Sequence, residues 1–366
     1  MRTSIAGSQY IGQIYPGFQA SHMDWIEKEG LFLLSRNSTF GFGFRTSLDA
    51  QSYLLVVINL KSSKDVWMLI AHGDGVAWTT GTDGERVTSM ELMDSGNLVL
   101  PGDNGSILLQ SFSYPIDALL PGQHFVEGMR LKRFPNKNYL YNYLEIKSGD
   151  LVLYAGYKTP QAYWSLANES RKTNNSVNGK VHSASLVSNS WNFNDQNRVL
   201  LWRFIFSDNS DPNAMWAMFL GSNGAIGFYN LRKGKSVNHD ATKIPQDSCS
   251  IPEPCERYYV CYFDNRCQCP LQLNTQFGCK PPEASACNGS KISAELFYVA
   301  EKLDYFAFGF VTPFLKSNLN ACKEACLGNC PCIVLFFENS TGRCLCFLFD
   351  QLGSFTRSQP GSLGYI

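Results

Sequence analysis

Along most of the chain, apolar and polar positions alternate with a period of two. Successive side chains of a strand point to opposite faces, so this alternation predicts sheets with one face buried. GLFLLSRNSTFGFGFRTSLDAQSYLLVVINLKSS, starting at Gly30, reads as two or three antiparallel strands with turns at Asn37-Ser38 and near Leu48-Asp49. SGNLVL from Ser95 recurs as SGDLVLYAG from Ser148 and, more loosely, as GSNGAIGFYNL from Gly221. In each, a turn glycine is followed by alternating aliphatics. One hairpin design reused in this way predicts a sheet-rich prism or barrel rather than a sandwich of unrelated strands. HSASLVSNSWNF from His182 and QNRVLLWRFIFSD from Gln196 supply strands of a second β unit. Helix signals are scarce until SNLNACKEACLGNC, where Asn318 or Asn320 is placed to cap a short helix ending near Gly328.

Cysteine usage divides the chain. All 13 cysteines of the 366 residues fall between Cys249 and Cys346, so the architecture changes near residue 245. A segment below about 80 residues buries too little apolar surface to be stable unaided, and clustered cysteines in one normally form a disulfide framework. Two small stapled modules are expected there, in an oxidising compartment. Sequons for N-glycosylation at Asn37, Asn104, Asn168, Asn174, Asn288 and Asn339 fit the same secretory route. Cys322, Cys326, Cys330 and Cys332 can supply four thiolates to zinc. Their spacing does not match two separated C-x2-C knuckles, however, and sequons flank them, which favours disulfides.

Composition excludes several classes. Lysine plus arginine and aspartate plus glutamate both total 31, so no net field steers the chain to nucleic acid or an acidic membrane. The first thirty residues carry no apolar run of the signal-peptide kind. No stretch reaches the roughly 18 uninterrupted apolar residues of a membrane span, the nearest being YLLVVINL from Tyr53. The sequence itself is thus expected to be soluble, without membrane insertion. His22, His72, His124, His182 and His239 are dispersed, with no H-E-x-x-H pair and no G-x-S-x-G elbow. GKS at Gly234 to Ser236 has Tyr229 where a phosphate-binding loop needs its first glycine.

MDWIEKEGLFLLSRNSTFGFGF, ELMDSGNLVL, LLQSFSYPIDALLPGQ and LEIKSGDLVLYAG together resemble the extracellular region of plant S-domain receptor-like kinases, the G-type or bulb-lectin class. CSIPEPCERYYVCYFDNRCQCPLQLNTQFGC looks like the EGF-like module of that family, and ACKEACLGNCPCIVLFFENSTGRCLCFLFDQLGSF looks like its PAN (apple-like) module. The resemblance implies a mainly β chain, with tandem β-prism (bulb-lectin-like) domains followed by small disulfide-rich modules. The expected division is a disordered leader over 1–22, a bulb-type lectin prism over 23–125, a second S-locus-glycoprotein-like β domain over 126–244, an EGF-like module over 245–281 and a PAN module over 282–366. In the family a W-[ST]-A-N-R-x-x-P-V stretch follows the V-W strand. Here Val66-Trp67 runs straight into MLIAHGDG, so an internal deletion is expected after Trp67, with an unpaired sheet edge as its consequence. The relatives also carry a kinase, but no V-A-I-K lysine, H-R-D or D-F-G is present among these residues, so no catalytic residue, cofactor or metal is expected.

In bulb lectins the mannose pattern is Q-x-D-x-N-x-V-x-Y along one strand, which places five side chains on one face. With Asn97 at the asparagine position the other four are Met93, Ser95, Val99 and Pro101; anchored at Asp150 the set is Ile146, Ser148, Asp150, Val152 and Tyr154. The candidate carbohydrate-binding residues are therefore Asn97, Val99, Asp150, Val152 and Tyr154. A competing reading makes Asn97 a turn residue beside Gly96 and leaves Leu98, Val99 and Leu100 to pack as a strand. The resemblance further implies bridges Cys249 to Cys261, Cys255 to Cys267 and Cys269 to Cys279. It leaves Cys287, Cys322, Cys326, Cys330, Cys332, Cys344 and Cys346 with pairing open and one in surplus. The expected role is an extracellular, mannose-type carbohydrate recognition module, secreted or at the cell surface. The alternative is a sugar-incompetent partner or decoy that binds full-length S-domain receptors or a second copy of itself.

Overall fold

The computed structural model describes residues 9–19, 30–46, 53–71, 80–133, 140–156, 158–174, 179–208, 211–233, 242–262, 266–276, 278–280, 296, 298–301, 303–329, 332–348, 355–357 and 362–365. Within them the chain is almost wholly β, with one α-helix, Leu319–Gly328. Five sheets build the front two-thirds. The first is ordered Tyr10–Ile11, Leu31–Leu34, Phe40–Thr46, Tyr53–Asn59, Lys64–Ala71, and the second Gln13–Ile14, Met90–Leu92, Leu98–Pro101, Ile107–Gln110. The third runs Ala118–Leu119, Trp216–Leu220, Ile226–Asn230, Lys243–Ile244, and the fourth Arg130–Lys132, Asn142–Lys147, Asp150–Ala155, Gln161–Ser165. The fifth is ordered His124–Val126, Ser183–Val187, Ser190–Asn194, Leu200–Ile205, Thr173–Asn174.

The third, fourth and fifth sheets wall a prism whose core holds Leu144, Leu151 and Leu153 from one side, Trp191, Phe193 and Phe204 from another, and Met218, Ile226 and Phe228 from the last. Aromatic stacking knits the walls together, with the Phe206 and Phe228 rings 4.2 Å apart and nearly parallel. The first two sheets enclose a second core around Leu33, Phe40, Val57, Trp67 and Leu98. That core is closed by the reverse face of the third sheet. Trp216, Met218 and Leu220 point into one core, whereas Ala217 and Phe219, one residue out of phase, meet the other together with Leu120 and Leu231. The third sheet is therefore buried on both faces.

Part of the segment expected as a disordered leader over 1–22 is instead built into the sheets. Tyr10–Ile11 pairs in parallel with Leu33-Leu34, and Gln13–Ile14 pairs antiparallel with Met90-Glu91. Gly12 is the joint. Its N–H donates to Leu34 O at 2.7 Å while its carbonyl accepts from Leu92 N at 2.9 Å, and its φ of 81° lets the chain step between the two sheets. The physical reason for the difference is apolar spacing: Ile14 is buried in the front core and Phe18 packs against Phe32. The expected deletion after Trp67 precedes residues 72–79, which lie outside the described set.

The rear modules dock on the prism. Cys267–Gln268, Val260–Cys261, Phe355–Arg357 and Leu303–Tyr305 form one small sheet, and Cys332–Glu338 lies centrally in a five-stranded one. Phe306 meets Tyr163 of the fourth sheet edge-on at 6.2 Å, which makes the rear core continuous with that of the prism. The helix starts where its cap dictates, since Asn318 Oδ1 accepts from Ala321 N at 3.0 Å.

Candidate functional site

The three copies of the hairpin theme share one backbone device. Gly96, Gly149 and Gly224 have φ of 86°, 84° and 86°, the left-handed region that glycine enters without steric cost. Each turn delivers the following strand into a different sheet, so the three copies present their outward faces to three different environments.

In the first copy, Asn97 is buried at the corner between the second sheet and the turn after Ile107–Gln110. Its Nδ2 donates to Gln110 Oε1 at 2.9 Å. Its Oδ1 accepts from Ser111 Oγ at 3.2 Å and from Phe112 N at 3.1 Å. Both ends of the amide therefore hold the corner. Val99 is 2% exposed, and Met93, in the glutamine position of the sugar pattern, is exposed. Asp94 reaches across instead, its carboxylate accepting from Asn37 N at 2.9 Å.

The second copy is laid out differently. Along Asp150–Ala155, Leu151, Leu153 and Ala155 enter the prism core and Asp150, Val152 and Tyr154 take the other face. Asp150 Oδ1 accepts from Leu151 N at 2.8 Å and from Ala167 N at 3.0 Å, which ties down the loop after Gln161–Ser165. Val152 is covered between Glu145 and Ser165, its partners in the flanking strands. Tyr154 lies opposite Tyr143, and the two rings stack 5.0 Å apart at 13°. Tyr141 continues the stack at 6.0 Å from Tyr143.

Cations line this ladder. The Arg130 guanidinium lies 4.9 Å from the Tyr143 ring centre, Lys132 Nζ 4.2 Å from that of Tyr141, and Lys147 Nζ 5.7 Å from that of Tyr154. Arg130 also pairs with Glu145 at 2.7 Å. Burial, then the nearby Glu145 carboxylate, pushes the Tyr143 phenol up to about 12, and the same two causes raise Tyr154. Both phenols hence stay protonated at neutral pH, able to donate and accept hydrogen bonds. None of Arg130, Lys132, Tyr141, Tyr143, Glu145 and Lys147 is a position of the sugar motif. The signal for them is their period-two spacing in RLK and YNYLEIK, which puts them on the same face as Tyr154 once the register is known.

In the third copy, the outward positions face the front core. Tyr229 receives Lys64 Nζ at 3.9 Å from its ring centre. This copy is an internal seam.

In the rear modules, Cys249 bridges Cys261, Cys255 bridges Cys267 and Cys269 bridges Cys279, with Cα separations of 5.6, 5.7 and 5.6 Å. Cys322 bridges Cys344. Cys332 lies within bridging distance of both Cys326 and Cys346. Among the described residues, these three cysteines are the group close enough to hold a metal ion; of the four thiolates that spacing offers to zinc, only Cys326 and Cys332 are in it, while Cys322 is held apart in its own bridge. Cys287, Cys330 and Asn288 lie outside the described residues, as does the Asn174 side chain. Asn37, Asn104, Asn168 and Asn339 are exposed.

The family model for D-mannose binding lectin matches residues 48–134. A G-type lectin S-receptor-like serine/threonine-protein kinase of Arabidopsis thaliana, SD2-5, is 42% identical over 99% of this chain and 47% of its own length. A second kinase of the same description from that plant is 27% identical over 96% of this chain and 45% of its own length. A PAN domain-containing protein of Arabidopsis thaliana is 22% identical over 96% of this chain and 77% of its own length. The chain spans about half the length of the receptor kinases it matches.

Proposed function

We propose, on the 42% identity over 99% of the chain to a G-type lectin S-receptor-like kinase and the lectin family model over residues 48–134, that the chain belongs to that family, is the extracellular recognition region of such a receptor and takes carbohydrate on the fourth sheet. The observation that carries this reading is the outward face around Tyr154: the half-buried Tyr154 and Tyr141 rings, joined through the buried Tyr143, with Arg130, Lys132 and Lys147 beside them, on the sheet whose Asp150–Ala155 strand keeps the valine and tyrosine of the lectin motif. Aromatic rims pack on the apolar faces of sugar rings, while phenol, ammonium and guanidinium groups donate to hydroxyl and carboxylate oxygens. Such a site is shallow and polar, and these side chains supply its contacts without a metal. The three bridges of the EGF-like module fit an oxidising, extracellular setting. Mannose-type glycans are the first ligands to test, because the matched family model is a mannose lectin. A glycan array that includes mannose-type and acidic oligosaccharides should show concentration-dependent binding by the folded chain. An empty array with protein that melts cooperatively would remove the sugar reading.

A second reading is favoured by the first copy, where Asn97 and Val99 are buried and the Asn97 amide is already engaged. Under it the prisms are scaffolds, and the chain acts as a protein-interaction partner or decoy for full-length S-domain receptors or for a second copy of itself. Sedimentation of the chain alone and with a purified receptor ectodomain separates the two: association without any glycan signal supports this reading.

A further inference from the structure

Helix Leu319–Gly328 carries Cys322 and Cys326 four residues apart, on one face; strand Arg343–Leu348 carries Cys344 and Cys346 two apart, also on one face. The two faces meet. One pair of positions is satisfied by the Cys322 to Cys344 bridge. The other brings Cys346 to Cys326, and Cys332 of the neighbouring strand joins them, so that the three Sγ atoms lie within 4.8 Å of one another. The Cα of Cys332 is 5.4 Å from that of Cys326 and 5.6 Å from that of Cys346, both distances that a disulfide spans. A bridged sulfur has one partner, so these three sulfurs can form only one disulfide among themselves, which leaves the third outside it. Parity across the sequence agrees, because 13 cysteines cannot all pair among themselves.

We propose that Cys326, Cys332 and Cys346 form a thiol–disulfide exchange site in which Cys332 is bridged alternately to Cys326 and to Cys346. The Cys346 thiolate attacks Sγ of Cys332. The Cys332–Cys346 bond forms as the Cys326–Cys332 bond breaks, and the electron pair leaves on the Cys326 sulfur. That sulfur takes up a proton from solvent in place of the one Cys346 gave up. No net oxidation or reduction occurs, so no further reagent is needed. The two states differ in where the thiol sits. Cys326 is 1% exposed and shields its thiol, whereas Cys346 is half-buried and can reach a small disulfide in solution, forming a mixed disulfide and releasing the other half as a thiol. Exchange therefore hides or presents one modifiable thiol.

Non-reducing peptide mapping of the native chain reads this directly, with the protein acid-quenched, denatured, labelled with N-ethylmaleimide and digested with pepsin. The expected result is two linked species, Cys326 to Cys332 and Cys332 to Cys346, with one label divided between Cys346 and Cys326. Cys346→Ser should leave only the Cys326 to Cys332 species, and Cys326→Ser only the Cys332 to Cys346 species. A single linkage in the unmodified chain, or a bridge from Cys287 or Cys330 into the cluster, overturns the proposal. So does zinc that stays with the chain through dialysis and whose removal by a chelator exposes all three thiols.

Discussion

Asn97 holds the corner between two strands with both ends of its amide, and its removal leaves the Phe112 N–H and the buried Ser111 hydroxyl short of an acceptor. An unsatisfied buried polar group costs about 1–3 kcal/mol. Asn97→Ala should lower the unfolding free energy by that amount, read as a lower urea midpoint at unchanged m, while leaving any glycan affinity unchanged. From sequence, an asparagine beside a turn glycine reads as a turn residue or a sugar ligand, and neither reading shows the brace. The deciding partners, Gln110 to Phe112, are separated from it by a hairpin whose register alternation does not specify. Glu169 offers a residue-scale test by pH. Burial pushes its carboxyl up, but hydrogen bonds from the Arg171 side chain and backbone and from Trp164 outweigh this and hold it below its ordinary value of 4.5. A depressed folded-state pKa gives stability that is present above the unfolded value and lost as pH falls through the folded one. The stability gap between the wild type and Glu169→Gln should therefore be widest above pH 4.5 and narrow on acidification below it, as read by denaturant melts across pH.

At the scale of elements, the reused hairpin was legible because its signal is local: a glycine that must turn left-handed, then a period-two strand. A helix cap at Asn318 or Asn320 is legible for the same reason, and the structure takes Asn318. What each hairpin faces was not, since that depends on which sheet it joins. A methyl group at Gly96 would stand 2.7 Å from Leu120 Cδ1 and 3.0 Å from Phe40 Cε1, whereas one at Gly122, with a similar φ of 82°, meets nothing within 4 Å. Left-handed backbone costs an L-residue about 1–2 kcal/mol. Gly122→Ala should cost roughly that, and Gly96→Ala distinctly more, in parallel thermal melts. Equal losses would mean that the packing of Gly96 against Leu120 and Phe40 carries no weight.

For the whole molecule, the doubly buried third sheet makes the two front cores interdependent. Leu231→Ala, in the front core, should lower the melting of the prism core as well, so that calorimetry of the front two-thirds shows one transition moving rather than one of two. Sequence pointed to two lectin-like units and to a change of architecture near residue 245, because cysteine usage changes abruptly there. It could not reveal the shared wall: Ala217 and Phe219 read simply as the other side of an alternating strand. The strands at Tyr10–Ile11 and Gln13–Ile14, inside the expected leader, are hidden in the sequence for a related reason, as Ile14 and Phe18 are too few to signal strands until the sheets they complete are known. The fourth sheet packs Leu151, Leu153 and Ala155 into the prism core, which sets the Tyr154 face, proposed to bind sugar, toward the outside. Titration calorimetry of the folded chain and of Tyr154→Ala, each with the best glycan from the array, reads that binding. The expected result is a Kd at least tenfold weaker for the variant, about 1.4 kcal/mol, with the variant still melting in one cooperative transition at a somewhat lower temperature for the lost Tyr143 stack. Equal affinities in the two proteins would contradict it.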